Sequence, residues 1–72
     1  MTNTNLLKSK MIATGDENFV ECLASLLKIS RATASKKLNG LTDFDQTEIG
    51  IITDHYNLNA DDVIKIFVLG ID

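Results

Sequence analysis

The sequence predicts an all-α fold, and three observations support that prediction. First, the chain contains no proline and its four glycines are scattered, whereas a strand-rich fold needs many turn signals. Second, apolar residues recur at intervals of three and four positions, which places them on one face of a helix. Third, an asparagine, serine or aspartate stands where each later helix should begin, as a capping residue does. We therefore expect five short helices in a single domain that spans residues 1–72.

The first two helices are predicted from apolar spacing and from capping residues. Helix one is expected over residues 5–14, where Leu7 and Met11 share one face. Helix two is expected to begin near Asn18, because Glu21 lies three residues later, at the spacing of a capping box. Its apolar spacing predicts a buried stripe of Val20, Leu23, Ala24 and Leu27.

Helix three is predicted to follow a tight turn at residues 28–30. Ser30 is a natural N-cap, since its hydroxyl can accept a backbone N–H from the first turn of the helix. The helix is expected to end at about Leu38, because Asn39 and Gly40 both tolerate left-handed backbone angles. The small core between helices two and three is predicted to contain Leu23, Leu27, Ile29, Ala34 and Leu38.

Two further helices are predicted in the second half of the chain. Helix four should start near Asp45, with Glu48 again at the spacing of a capping box. Its apolar face is predicted to contain Ile49, Ile52 and Tyr56. Asn59 should cap helix five, whose core-facing residues are predicted to be Val63, Ile66 and Phe67. The C-terminal segment from helix five onward contains four more apolar residues that have no place in that core: Ile64, Val68, Leu69 and Ile71.

Residues 19–39 carry the pattern of a helix-turn-helix, in which two short helices are joined by a tight turn. Residues 28–40 hold four cations and no acid, whereas the rest of the chain holds three cations and ten acids. The second helix of such a pair places its N-terminal residues against base edges in the major groove of DNA. Arginine suits guanine, serine suits bases or phosphate, and lysine suits phosphate. The candidate DNA-binding residues are Lys28, Ser30, Arg31, Ala32, Ser35, Lys36 and Lys37.

The same segment resembles the Cro-like and repressor-like helix-turn-helix proteins of temperate phages. The residues that carry the resemblance are Leu23-Ala24, Leu26-Leu27, Ile29-Ser30-Arg31, Thr33, Ser35-Lys36, Leu38-Asn39-Gly40, Glu48-Ile49, Tyr56-Asn57-Leu58 and Ile66-Phe67. The resemblance covers nearly the whole chain and implies a five-helix repressor/Cro-like domain. Within the family it is strongest toward the modulators of repression, which are antirepressors that act together with the phage repressor.

The resemblance implies a transcriptional regulator of the lysis–lysogeny switch. Val20 stands where the family usually has a glutamine that bonds a DNA phosphate, Lys28 replaces a turn glycine, and Lys37 occupies a commonly apolar position. With the net charge of −3, these departures favour an antirepressor that binds the DNA-binding domain of the phage repressor, and operator DNA only weakly or jointly with it. The alternative is an autonomous Cro-like homodimer that binds operator DNA through helix three. A structural interaction module without a role in transcription is a third interpretation.

Two acidic clusters and the apolar tail are candidate partner-binding surfaces. Their members are Asp43, Asp45 and Glu48 at helix four, Asp61 and Asp62 at helix five, and Val68 and Leu69 in the tail. Acidic residues there can pair with the basic DNA-reading face of a repressor, or they can simply cap their helices. The tail can form an interaction patch, or it can fold back onto helix one.

No residue pattern points to catalysis, to a cofactor or to a metal site. Cys22 is the only cysteine and His55 the only histidine, which is fewer nitrogen and sulfur ligands than a zinc site uses. No glycine-rich phosphate loop or catalytic-triad context is present. The sequence also lacks an apolar run long enough for a membrane span, and it lacks a signal peptide. We therefore expect a binding protein without enzymatic activity in the cytoplasm of the bacterial host.

Overall fold

Five α-helices and one π-helical segment make up most of the chain in the computed structural model, which describes residues 2–70. The helices are α1 (Thr4–Ala13), α2 (Phe19–Leu27), α3 (Arg31–Leu38), α4 (Gln46–His55) and α5 (Ala60–Val63), and α5 continues into a π segment, Ile64–Leu69. Residues 2–70 contain no β-strand, so the predicted all-α class is confirmed. Every helix in this range is too short or too polar to span a lipid bilayer.

Side-chain caps set where three of the predicted helices begin. The Ser30 hydroxyl accepts a hydrogen bond of 3.1 Å from the backbone N–H of the third residue of α3. Asp45 and Glu48 form a complete capping box, in which each side chain accepts the backbone N–H of the other residue. Asn59 and Asp62 form a second one. Each bond satisfies an N–H that the helix itself leaves unpaired, so the starts of α3, α4 and α5 agree with the prediction.

The cap of α2 differs from the prediction. Asn18 is the N-cap residue, but its side chain accepts no bond from the helix, so the capping box predicted with Glu21 does not form. The Asn18 amide nitrogen instead donates to the Glu21 carboxylate at 2.9 Å. Backbone geometry does not explain the difference, because Asn3 has a similar ψ of 87° and its side chain still accepts the backbone N–H of Leu6 at 3.1 Å. The Glu21 carboxylate accepts the Asn18 side-chain amide and the Arg31 guanidinium instead.

One apolar core lies between the helices. Its largest fully buried side chains are Leu7 and Met11 in α1, Leu23 in α2, Ile52 in α4 and Ile66 in the π segment. The other buried apolar residues are Leu27, Ala34, Leu38, Phe44 and Tyr56. Partly buried residues that pack against this core include Val20, Ala24, Ile29, Ile49 and Phe67. Most of the periodic apolar positions therefore lie in or against the core as predicted. Val63, which was predicted to face the core, is only half-buried and is not among the residues that pack against it.

The C-terminal helix changes from α to π geometry at Ile64, a change that the sequence did not predict. A π-helix bonds residue i to residue i+5 rather than to i+4, so one turn holds more residues. Ile64, Val68 and Leu69 are four and five residues apart, so they fall on one side of the segment, and all three are exposed. Ile66 lies on the other side, is fully buried, and accepts the backbone N–H of Asn3 at 2.7 Å.

Candidate nucleic-acid and partner interface

The α2–α3 pair presents one side of α3 to solvent. α2 packs more extensively against α3 than against any other helix. Ala34 and Leu38 are the buried residues of α3 and contribute to the core. Arg31, Ala32 and Lys36 are exposed. Ser35 is half-buried, and its hydroxyl accepts a hydrogen bond of 3.4 Å from the side-chain amide of Asn39. The side of α3 opposite Ala34 and Leu38 therefore faces outward.

The turn between α2 and α3 depends on a residue in the left-handed region. Lys28 has φ 57° and ψ 46°. Its backbone N–H and that of Ile29 both donate to the carbonyl of Ala24, which ends α2. Glycine takes these angles freely, whereas lysine adopts them at a steric cost. The Lys28 side chain is exposed, so the turn places a cation beside the start of α3.

Arg31 is the first residue of α3, and its guanidinium group is already paired. Its Nη2 atom donates to Oε1 of Glu21 in α2, and the two side chains are 73% and 49% exposed. The other carboxylate oxygen of Glu21 accepts the Asn18 amide at 2.9 Å. This role of Glu21 could not be predicted from the sequence, because a partner 10 positions away across a turn follows no helical spacing.

Lys37 points into the protein rather than toward solvent. Its ammonium lies 2.9 Å from Oε1 of Glu48, and only 12% of the Lys37 side chain is exposed. The same ammonium donates to the backbone carbonyl of Asp43 at 3.0 Å and lies 5.6 Å from the centre of the Phe44 ring. The phosphate contact predicted at Lys37 is therefore not part of the exposed surface, because α4 supplies a buried acid that binds the ammonium.

Lys28 and Lys36 are the remaining cations of the α3 segment. Both are exposed, and neither forms an ion pair with any residue in the range 2–70. Of the four cations predicted for this surface, two are thus unpaired within that range, Arg31 is exposed but paired, and Lys37 is turned inward. The exposed face of α3 is consequently less basic than the composition of the segment indicates.

The acidic residues predicted at the start of α4 serve mainly as internal partners. The Asp45 carboxylate caps the helix at 2.7 Å. Glu48 is nearly buried, and its Oε1 atom accepts both the Asp45 backbone N–H and the Lys37 ammonium at 2.9 Å. Asp43 is exposed in the loop before the helix. The Glu48 carboxylate therefore lies in the interior and is not part of the acidic surface predicted at α4.

The acidic residues of α5 are also paired. Asp61 lies 3.0 Å from the ammonium of Lys65, one helical turn along. Asp62 lies 3.1 Å from the ammonium of Lys10, which belongs to α1. The hydrogen bond from Lys10 holds the pKa of Asp62 below its usual range. This second acidic cluster therefore connects α5 to its own next turn and to α1.

Three exposed apolar side chains of the π segment form a surface that we call the apolar strip. Its members, Ile64, Val68 and Leu69, are 45%, 67% and 54% exposed. Ile71, which was also predicted to lack a place in the core, lies outside the described residues. The π segment packs against α1 with Ile66 buried, so the tail both folds back onto the first helix and leaves the strip exposed.

An open groove of about 470 Å³, which was not predicted from the sequence, lies beside α2. Its lining includes Asp16, Cys22, Leu26 and Tyr56. Burial, together with the negative charges of Asp16 and Glu21, raises the pKa of the Cys22 thiol, which makes it a weak nucleophile at neutral pH. No group of three histidine, cysteine, aspartate or glutamate side chains within residues 2–70 is placed to hold a metal ion.

Comparison of the chain with protein-family models, with curated proteins and with solved structures found no match. The α3 face and the apolar strip are open surfaces of exposed side chains, whereas small-molecule sites are usually enclosed clefts.

Proposed function

We propose that the protein is a phage transcriptional regulator that acts as an antirepressor. In this proposal it binds the DNA-binding domain of the phage repressor and so relieves or modifies repression. α2 and α3 are its helix-turn-helix, and its activity is binding rather than catalysis. The sequence resemblance to Cro-like regulators supports this, as do the five successive helices, the short turn after α2 and the buried residues shared by α2 and α3.

The pairing of the basic residues is the observation that carries the proposal. Affinity for DNA depends strongly on cations that neutralise phosphates and release counterions. Lys37 is bound by Glu48 and Arg31 is bound by Glu21, so Lys28 and Lys36 are the cations of the α3 segment left for phosphate. A helix-turn-helix with so few available cations is expected to bind DNA weakly by itself, which favours action through a protein partner.

The charge of the chain outside residues 28–40 favours a basic partner. Outside residues 28–40 the chain carries three cations and ten acids. A repressor's DNA-reading face is basic, so the two proteins attract each other over a distance. Burial of apolar surface is the main driving force of most protein association, and the apolar strip supplies such surface. The charges therefore favour a basic partner, and the strip provides the apolar contact.

Autonomous binding to operator DNA as a Cro-like dimer is the second candidate function, and a different observation favours it. Ser30, Arg31, Ala32 and Lys36 are exposed in or just before the first two turns of α3. In a helix-turn-helix, residues at the start of the second helix contact base edges. Such a dimer would contact two half-sites about one turn of DNA apart.

A gel-shift assay on the operator region of the same phage, with and without its repressor, separates the two functions. We expect the pure protein to bind the operator weakly and to displace the repressor from it or join its complex. Tight, sequence-specific binding by the pure protein, weakening steeply as salt rises, would instead support the Cro-like dimer. If the protein bound neither operator nor repressor, both functions would be excluded.

Variants of the apolar strip test, in the same assay, whether the strip is the surface that contacts the repressor. Combining Val68→Ser with Leu69→Ser should abolish the effect on the repressor and preserve the fold, because both side chains are already exposed. Ile51→Ser in α4 is the matched control, since Ile51 is 38% exposed and lies outside the strip. Equal loss of activity in the two variants would mean that the strip is not the contact surface.

A further inference from the structure

We propose that Glu21 competes with DNA phosphates for Arg31 and thereby limits the affinity of α3 for DNA. The inference rests on the proposed function, because it requires that α3 faces DNA. It goes further by assigning the weak binding to one acid outside α3. Glu21 would then limit affinity for DNA of any sequence.

The geometry of the pair is the first support. Arg31 Nη2 donates to Glu21 Oε1, and the Asn18 amide donates to Glu21 Oε2 at 2.9 Å. Both carboxylate oxygens are therefore engaged, and Asn18 fixes the carboxylate on the side of α2 that meets the start of α3. A phosphate oxygen that bound the same Nη2 atom would have to displace this carboxylate.

The exposure of the pair is the second support. With side-chain exposures of 73% and 49%, the two groups are accessible to a large anion such as DNA. Exposed ion pairs contribute only about 0.2 to 1 kcal/mol, so a phosphate can displace the carboxylate. Glu21 therefore weakens DNA binding by pairing with Arg31, because the ion pair must be broken before Arg31 can bind a phosphate.

The Glu21→Gln variant tests the proposal. Glutamine keeps the shape of the side chain and can still accept the Asn18 amide, but it no longer binds Arg31 as an ion. We expect affinity for a fluorescently labelled DNA duplex to rise about two- to fivefold, which matches the strength of an exposed ion pair. Fluorescence anisotropy titrations between about 50 and about 200 mM salt measure the affinities.

Two further variants separate release of Arg31 from a general change in charge. Asp61→Asn raises the net charge by the same amount and also removes an exposed acid–lysine pair, but in α5, so it should leave DNA affinity nearly unchanged. In the double variant Glu21→Gln with Arg31→Ala, the gain should disappear. Circular dichroism of each variant verifies that the helices are retained.

The possible outcomes distinguish this inference from the proposed function. A gain in Glu21→Gln no larger than in Asp61→Asn, a gain that survives Arg31→Ala, or no DNA binding by any variant at low salt would overturn the role of Glu21. Repressor binding measured in parallel tests the proposed function by itself. A protein that fails to bind the repressor, yet shows the expected gain in Glu21→Gln, would overturn the antirepressor and retain the inference.

Discussion

The Lys37–Glu48 ion pair joins the end of α3 to the start of α4 at a nearly buried site. The two side chains are 12% and 11% exposed, so solvent ions screen their attraction only weakly. Glu48 also accepts the backbone N–H of Asp45, which gives the carboxylate a second donor. Removing one member of such a pair leaves the other charge without compensation, and that makes the pair costly to break.

Lys37→Ala is therefore expected to lower the free energy of unfolding by about 3 kcal/mol. Lys36→Ala is the matched control, because the neighbouring lysine is exposed and its loss should change stability by less than about 0.5 kcal/mol. Urea denaturation followed by circular dichroism measures both values. If the two variants lost stability equally, the inward placement of Lys37 would be wrong.

At the scale of the element, two turns contain non-glycine residues in the left-handed region. Lys28 follows α2 with φ 57°, and Asn57 follows α4 with φ 52°. Left-handed angles cost most residues roughly 1 to 2 kcal/mol, because the Cβ atom approaches the following carbonyl oxygen. Asparagine tolerates them better, since its short polar side chain bonds locally. The turn into α3 is therefore the more strained of the two.

Lys28→Gly should raise the free energy of unfolding by up to about 1 kcal/mol, because glycine relieves the steric cost. Asn57→Gly should give a smaller increase, and Lys28→Ala should give none, since alanine keeps the Cβ atom. Thermal unfolding of the three variants, compared with the unaltered protein, measures the differences. Stabilisation by Lys28→Ala as large as by Lys28→Gly would show that the lysine side chain, not the backbone, causes the strain.

Helix starts and core positions could be predicted from the sequence because their signals are local. Ser30, Asp45 and Asn59 act on amides only three residues away, and spacing alone reveals such contacts. The cap of α2 is the exception, although the helix begins where predicted. Asn18 and Glu21 have the spacing of a capping box, but Arg31 from the next helix binds the same carboxylate. A local pattern cannot predict that distant competitor.

The ion pairs that define the candidate interface could not be predicted from the sequence. Glu21 and Arg31 are 10 positions apart, and Lys37 and Glu48 are 11 apart, so each pair forms only once neighbouring helices pack. Composition counts these charges without giving their directions, and the basic face was therefore overestimated. The π geometry of residues 64–69 is a similar case, because the apolar residues fit either helix type and tertiary packing decides between them.

At the scale of the whole molecule, contacts between distant parts of the chain close the fold. The backbone N–H of Asn3 donates to the carbonyl of Ile66 at 2.7 Å. The Tyr56 hydroxyl donates to the Asp16 carboxylate at 2.7 Å, which ties the end of α4 to the loop between α1 and α2. A domain of this size buries only about 60% of the surface of its unfolded chain, so its stability is marginal and each such contact matters.

The contact between Tyr56 and Asp16 makes the stability of the fold depend on pH. It is the only tyrosine of the chain, it is 6% exposed, and it lies beside the Asp16 carboxylate. Burial and the hydrogen bond to Asp16 both favour the neutral phenol, so they raise the pKa of Tyr56 in the folded protein. The resulting stabilisation is fully present below the pKa of an unfolded tyrosine, about 10, and is lost as the pH rises from there toward the raised pKa of the folded state.

Tyr56→Phe should therefore change both stability and its pH dependence. Near neutral pH the variant should be less stable by about 0.5 to 1.5 kcal/mol, because it lacks the hydrogen bond to Asp16. Above about pH 10 the unaltered protein should lose up to about 1.4 kcal/mol per pH unit relative to the variant, so the two stability curves approach and then cross. Urea denaturation over this range measures the curves, and tyrosinate absorbance of the folded protein reports Tyr56 alone. Ionisation of the folded protein near pH 10, with parallel stability curves, would mean that the Tyr56–Asp16 bond does not hold the phenol neutral.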